Sequence, residues 1–130
     1  MSGGAADNPR VLLVEDNEAI RGAFSILLEE SGYHVLAAAS GAEALAEADA
    51  RGPHLILLDL GLPDMSGLDV ARALRARADT RDTPIIALTG RALETDEEAC
   101  RAAGCTDYLT KPINTEQLLT VLEGYLGNRE

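Results

Sequence analysis

Four stretches of this 130-residue chain set a reactive side chain directly after an apolar run. Glu15 and Asp16 follow Val11-Leu12-Leu13-Val14, Asp59 follows Ile56-Leu57-Leu58, Thr89 follows Ile85-Ile86-Ala87-Leu88, and Lys111 follows Tyr108-Leu109-Thr110. Of the 11 Lys and Arg residues, Lys111 is the sole lysine. Three clustered carboxylates repel one another and raise their own pKa values, and a divalent cation relieves that. Magnesium takes oxygen ligands, typically one or two carboxylates with several retained waters; Mn2+ would suit the same ligands. Asp16 and Asp59 can ligate such an ion directly, and Glu15, with its longer arm, through a water. The backbone carbonyl of Gly61, two residues past Asp59, can also turn inward, because glycine permits unusual backbone angles. A carboxylate can attack a phosphoryl group to form an acyl phosphate. Such transfer depends mainly on positioning and on neutralising the phosphoryl oxygens. Lys111, a compact flexible cation, can bond one of those oxygens, and the Thr89 hydroxyl and the amides near Gly61 and Gly90 can bond others.

This chemistry requires the four stretches to meet at one place, which constrains the elements that carry them. Arg10–Glu15 reads as a first strand, followed by helical spacing at Ile20, Ala23, Phe24, Leu27, Leu28 and Ser31 with Gly32 as the stop. His34–Ala39 reads as a strand, Gly41–Arg51 as an Ala-rich helix, and His54–Leu60 as the most apolar strand. A loop with Gly61, Pro63 and Gly67 leads to a helix over Leu68–Arg77, then a strand over Thr83–Thr89. A short helix over Thr95–Ala103, a strand over Thr106–Thr110 and a helix capped by Asn114, with Leu118, Val121, Leu122 and Tyr125 on one stripe, complete the pattern. Five strands alternating with five helices predict an α/β fold, a single (βα)5 doubly wound parallel sheet of flavodoxin-like strand order 2-1-3-4-5. Ligands of such sheets bind beyond the carboxyl ends of the strands, at the switch point between strands 1 and 3. All four reactive stretches fall at those ends.

Composition narrows the class further. A hydrophobic share of 46% supports a folded core, and no apolar run approaches the roughly 20 residues of a membrane span. A formal net charge of -11 argues against direct nucleic-acid binding. The N-terminus lacks the basic and apolar regions of a secretory signal, so a cytoplasmic location is expected. Residues 1–9 read as a flexible tail, 10–127 as one domain and 128–130 as a C-terminal tail. Cys100 and Cys105 match neither a disulfide framework nor a zinc motif and read as buried or half-buried free thiols. His34 and His54 read as ordinary strand-edge histidines.

The chain resembles the receiver domains of bacterial response regulators, from Arg10 to Gly127. The resemblance rests on the acidic pair in VLLVEDNE, Asp59 in LILLDLGLPDMSG, Thr89 in PIIALTG and Lys111 in YLTKP. It implies that Asp59 accepts a phosphoryl group from a histidine kinase or histidine phosphotransfer protein in a Mg2+-dependent reaction. It gives Glu15, Asp16, Asp59 and the Gly61 carbonyl to the metal, Thr89 and Lys111 to the phosphoryl group, and Thr89 with Tyr108 to a conformational switch. It also implies a cis Lys111-Pro112 bond, and no enzymatic turnover beyond self-phosphorylation and autodephosphorylation. The stripe Ala19, Gly22 and Ile26 on the first helix is the expected contact with the phosphodonor. An output partner, or a second copy on phosphorylation, would meet the face built from the fourth helix, fifth strand and fifth helix, with Leu119 and Leu126 as candidate contacts. Gly61 offers no side chain to shield the acceptor, and Arg91, two past Thr89, could reach the site. A Mg2+-dependent phosphohydrolase with an aspartyl nucleophile is the main rival, and it normally carries a second acid where this chain has Gly61. An FMN carrier fits less well, because the loop after strand 1 holds Glu15-Asp16 where a phosphate would sit.

Overall fold

The computed structural model describes residues 8–90 and 94–127. The strands are β1 (Arg10–Val14), β2 (His34–Ala38), β3 (Leu55–Asp59), β4 (Ile85–Thr89) and β5 (Asp107–Thr110). The helices are α1 (Glu18–Glu30), α2 (Gly41–Arg51), α3 (Gly67–Arg75), α4 (Glu94–Ala103) and α5 (Thr115–Leu126). All strand pairs are parallel and the order is β2-β1-β3-β4-β5, as the alternation of periods predicts. The sheet pairing begins slightly before β1, since His34 N–H donates to the buried Pro9 carbonyl at 2.9 Å. No helix among the described residues is long and apolar enough to cross a membrane.

The sheet has two buried faces, which is why its strands are nearly continuous apolar runs. Successive side chains point to opposite faces. Leu12, Val14, Ile56, Leu58, Ile85 and Ala87 pack with Ala44 and Ala48 of α2, Val70, Ala71 and Leu74 of α3, and Cys100 and Ala103 of α4. Val11, Leu13, Leu55, Leu57, Ile86, Leu88 and Leu109 pack with Leu28 of α1 and Leu118 and Leu122 of α5. The same alternation, carried past the last apolar residue, aims the chemistry. Glu15, Asp59 and Lys111 keep the parity of Leu13, Leu57 and Leu109 and so emerge on the α1/α5 side.

Two helices differ from the sequence expectation. In α1 Leu28 is buried and Phe24 and Leu27 pack half-buried against the core, whereas Ile20 is 39% exposed. In α5, Tyr125 is 41% exposed, while Leu119 and Leu126 are half-buried against the core. That correction makes Leu119 and Leu126 core-supporting residues and leaves Tyr125 on the surface. Both helices carry apolar residues on adjacent stripes, and the seat on the sheet decides between them.

Far from the acidic edge, Arg75 ties three segments together. Its guanidinium donates to the carbonyls of Gly104 (2.8 Å), Thr80 (3.0 Å) and Thr83 (2.7 Å) and to Thr106 Oγ1 (3.2 Å). Gly104 sits at φ +102°, a left-handed conformation, and a Cβ there would stand 2.6 Å from Arg75 Cγ. Gly104→Ala is therefore expected to lower stability by about 1–2 kcal/mol from the backbone conformation alone, with further loss as Arg75 is displaced. Urea denaturation of both proteins measures it, and an unchanged midpoint contradicts the account.

Candidate functional site

At the carboxyl edge, Glu15, Asp16, Asp59, Gly61, Thr89, Gly90 and Lys111 line a cleft of about 420 Å³ together with Asn17, Ile20, Leu60 and Leu88. Register explains the meeting. Val14 pairs with Leu58, which makes Glu15 and Asp59 neighbours across adjacent strands, and Thr89 pairs with Thr110, which sets Lys111 just beyond. The Lys111 amide donates to the Thr89 carbonyl at 2.7 Å, and the Lys111-Pro112 bond is cis.

Glu15 and Asp59 are nearly inaccessible, at 1% and 4% exposure, and Thr89 is also buried; Asp16 lies open at the mouth. Lys111 Nζ stands 3.1 Å from Asp59 Oδ2 and 3.6 Å from Glu15 Oε1. Burial works against its ammonium, yet the hydrogen bond and charge of Asp59, with Glu15 adding to them, hold its pKa above the usual lysine value. Burial pushes the Glu15 carboxyl up, with the nearby Asp59 charge adding to it and the Asn17 amide and Lys111 opposing. Glu15 Oε2 accepts from the Asn17 amide at 3.0 Å. Glu15 Oε1 is buried without a hydrogen-bond partner, a costly state for a carboxylate oxygen.

The β1–α1 turn owes its shape to residues that the motif pattern did not single out. Arg21 on α1 reaches back and donates to the Glu15 carbonyl at 3.0 Å and the Asp16 carbonyl at 3.4 Å. Asn17 caps α1 through the Ile20 amide at 3.0 Å. The six-residue reach of Arg21 leaves no periodic signal. On the other side, the Gly61 amide donates to Asp59 Oδ1 at 3.0 Å. Gly61 is not among the glycines of positive φ, so the reason for expecting a glycine here does not operate; what Gly61 contributes is a close backbone donor.

The three carboxylates suit a hard divalent cation. One oxygen from each of Glu15, Asp16 and Asp59 falls within 4.8 Å of the others, and one of these carboxylates, Glu15, carries the unsatisfied Oε1. An all-oxygen set with few carboxylates and an open side toward solvent matches magnesium better than a soft-ligand metal.

Tyr108 lies half-buried on β5, and its hydroxyl donates to Glu97 Oε2 at 3.1 Å. Glu97 in turn pairs with Arg101 at 2.8 Å. The Glu97 hydrogen bond and charge raise the phenol pKa above its usual value. Arg91 lies outside the described residues. Ala19, Gly22 and Ile26 are exposed on α1, Ile26 at 60%. Beside them an apolar groove of about 570 Å³ runs from the cleft between α1 and the β5–α5 loop, lined by Ile20, Ala23, Phe24, Pro112 and Ile113 with Gly90 and Lys111 at its inner end. The sequence pattern assigned Ile20, Ala23 and Phe24 to a core stripe.

A family model described as a response regulator receiver domain matches residues 11–123. The chain belongs to the receiver domain family. The receiver is 42% identical over 118 residues to the polar-differentiation response regulator DivK of Brucella ovis, covering 91% of this chain and 96% of that protein. Among solved structures, the chemotaxis protein CheY4 of Vibrio cholerae superposes with a TM-score of 0.88 at 36% identity, covering 92% of this chain and 99% of that one. The receiver domain of the sensor histidine kinase PA1611 from Pseudomonas aeruginosa superposes with a TM-score of 0.85 at 38% identity, covering 92% and 98%; that structure holds a magnesium ion in its active-site cleft. Receiver domains are signalling domains rather than classical enzymes, and the family implies histidine kinases and output partners.

If these acids hold a cation, Asp16→Ala should weaken Mg2+ binding at least tenfold, since a loss of about 1.4 kcal/mol suffices for that factor. Calorimetric titration of the wild type and the variant tests this. Equal affinities would remove Asp16 from the ligand set.

Proposed function

We propose that the receiver accepts a phosphoryl group on Asp59 from a phosphohistidine donor, with Mg2+ held by Glu15, Asp16, Asp59 and the Gly61 carbonyl, and thereby controls an output partner in the cytoplasm. The observation that carries this reading is the Asp59 carboxylate itself, flanked on one oxygen by the Lys111 ammonium and on the other by the Gly61 amide. In the transfer, an Asp59 oxygen forms a P–O bond as the P–N bond to the donor histidine breaks. The imidazole nitrogen leaves with the bonding pair. Lys111 then exchanges its contact with the carboxylate for one with a phosphoryl oxygen, and Thr89 and the Gly90 amide stand on the same rim for others. Bound Mg2+ would add to the charge of Lys111 in neutralising the phosphoryl oxygens.

The switch would lie between the phosphoryl group and α4. Thr89 ends the strand beside Tyr108, and Tyr108 is tied outward to Glu97. A hydroxyl drawn onto the phosphoryl group opens room beside β4 into which the Tyr108 ring can turn, at the expense of its bond to Glu97. Moving such an element from 1:99 to 99:1 requires about 5.5 kcal/mol of preference for the active form. The α4-β5-α5 face, including the exposed Tyr125, is where the change would be read by an output partner or a second copy.

The phosphodonor would dock on α1. The groove of Ile20, Phe24, Pro112 and Ile113 opens beside the cleft and would complement the exposed Ala19, Gly22 and Ile26 stripe as the seat for a donor helix.

With acetyl phosphate and Mg2+, intact mass is expected to rise by one phosphoryl group in the wild type and to stay unchanged in Asp59→Asn. In the same sample, the Tyr108 ring resonances should shift in the phosphorylated form only. A modified Asp59→Asn protein would remove Asp59 from its role, and sustained phosphate release from many phosphomonoesters would favour the phosphohydrolase. Ala23→Glu, at an exposed position that lines the groove but not the cleft, is expected to slow transfer from a histidine donor about tenfold or more, since it sets a charge into an apolar contact, while leaving phosphorylation by acetyl phosphate intact. Equal loss with both donors would place the effect in the chemistry and not in docking.

A further inference from the structure

The β3–α3 loop is anchored at its tip by a contact that spans more than twenty residues of sequence. Asp64 Oδ1 accepts from the Gly41 amide at 2.8 Å and Oδ2 from the Ala42 amide at 3.0 Å. These are the first two amides of α2, which a helix leaves without internal partners. The third, Glu43, is already satisfied by the cap Ser40 at 3.2 Å. Of these three amides, one is thus satisfied by the helix's own cap and two by a separate loop. The two amides hold the Asp64 carboxyl below the usual carboxylate range, so it remains an anion facing the positive end of the helix.

Packing reinforces the grip. Gly41 is buried, and a Cβ there would lie 2.6 Å from Met65 Sδ, so Met65 rests directly on the helix start. The base of the loop is equally restricted. Gly61 bridges to Ser66, the Gly67 amide donates to the Leu60 carbonyl at 3.1 Å, and a Cβ on Gly67 would stand 2.6 Å from Leu60 Cα and 2.7 Å from the Asp59 carbonyl oxygen. Gly61, whose amide touches Asp59 Oδ1, stands at this base, three residues before the Asp64 tip.

We propose that Asp64 is a positioning residue for the acceptor: by gripping the start of α2 it holds the β3–α3 loop so that Gly61 presents its amide to Asp59 and its carbonyl to the cation. The role in cation binding rests on the metal site proposed above; the role toward the Gly61 amide does not. Asp64 is exposed and never touches the acceptor. It acts through seven residues of loop fixed at both ends, and α2, seated by Ala44 and Ala48 in the core, is the fixed point.

The test compares Asp64→Ala and Asp64→Asn with the wild type. Asn keeps the shape and one acceptor oxygen, so it should retain part of the grip. In metal-free protein, amide hydrogen exchange of Gly61 is expected to accelerate on the order of tenfold in Asp64→Ala through local opening of the loop. Exchange at Leu57 and Ile86 in the central strands should change only as global stability does, and Asp64→Asn should lie between. The Mg2+ dissociation constant should rise about tenfold in Asp64→Ala, as for loss of a supporting contact behind a ligand. Unchanged Gly61 exchange in Asp64→Ala, with only a lower melting temperature, would reduce Asp64 to a helix cap and overturn the proposal. Faster Gly61 exchange with an unchanged Mg2+ affinity would keep the loop role and overturn the part that concerns the cation. Failure of the wild type to take a phosphoryl group would count against the function proposed for Asp59 and leave the exchange result standing.

Discussion

The active edge depends on one ammonium placed between two buried acids. Glu15 and Asp59 lie on neighbouring strands and the same face, and both are withdrawn from water. Burying one carboxylate is unfavourable, and burying two side by side more so, unless positive charge compensates. Lys111 supplies part of that charge, arriving from β5 across the width of β4. Its Coulomb attraction to Asp59 is strengthened by the low local dielectric. One cation for two anions leaves the site deficient in positive charge, and Glu15 Oε1 shows the deficit as an unsatisfied oxygen. A second cation at this edge would relieve that deficit.

The register of Lys111, Glu15 and Asp59 is set first by backbone geometry. The parallel pairing sets which strand ends are level, and the two-residue period sets which side chains share a face. Two fully buried faces hold this register through packing, because a one-residue slip would send Leu13 and Leu57 into the cluster under α2 and α3 and carry Glu15 and Asp59 to that face too. The loops at the edge add the finer adjustments through Arg21 on one side and Gly61 on the other. The opposite end of the molecule is closed by Arg75, so polar groups there are consumed in structure and those at the active edge remain available.

Much of this was legible in the residues. Near-continuous apolar runs identified the strands because a sheet covered on both faces tolerates little else, and their alternation with helices led to the observed strand order. Glu15, Asp59, Thr89 and Lys111 could be read as a group because each directly follows such a run. Helix faces were less legible. Ile20 satisfies the spacing of a core stripe, yet α1 sits so that it stands exposed in a groove while Phe24 packs half-buried on the core, and in α5 the seat favours Leu119 and Leu126 over Tyr125. Spacing gives the period of a helix, while its rotation on the sheet depends on volumes supplied by other elements. Contacts such as Asp64 with Gly41 or Arg75 with Gly104 join positions more than twenty residues apart, and no local pattern encodes them.

The solitary lysine has a practical corollary. Its side chain is about one-third accessible and carries the only side-chain amine in the sequence. Beside the chain's α-amine, amine-directed immobilisation, fluorescent tagging or acylation would thus have one side-chain target, in the acidic cleft, and its modification would erase part of the charge that balances Glu15 and Asp59. Probes for this protein belong on one of its cysteine-free, lysine-free surfaces through an introduced handle, and the extent of acylation at position 111 would itself register whether the cleft is occupied.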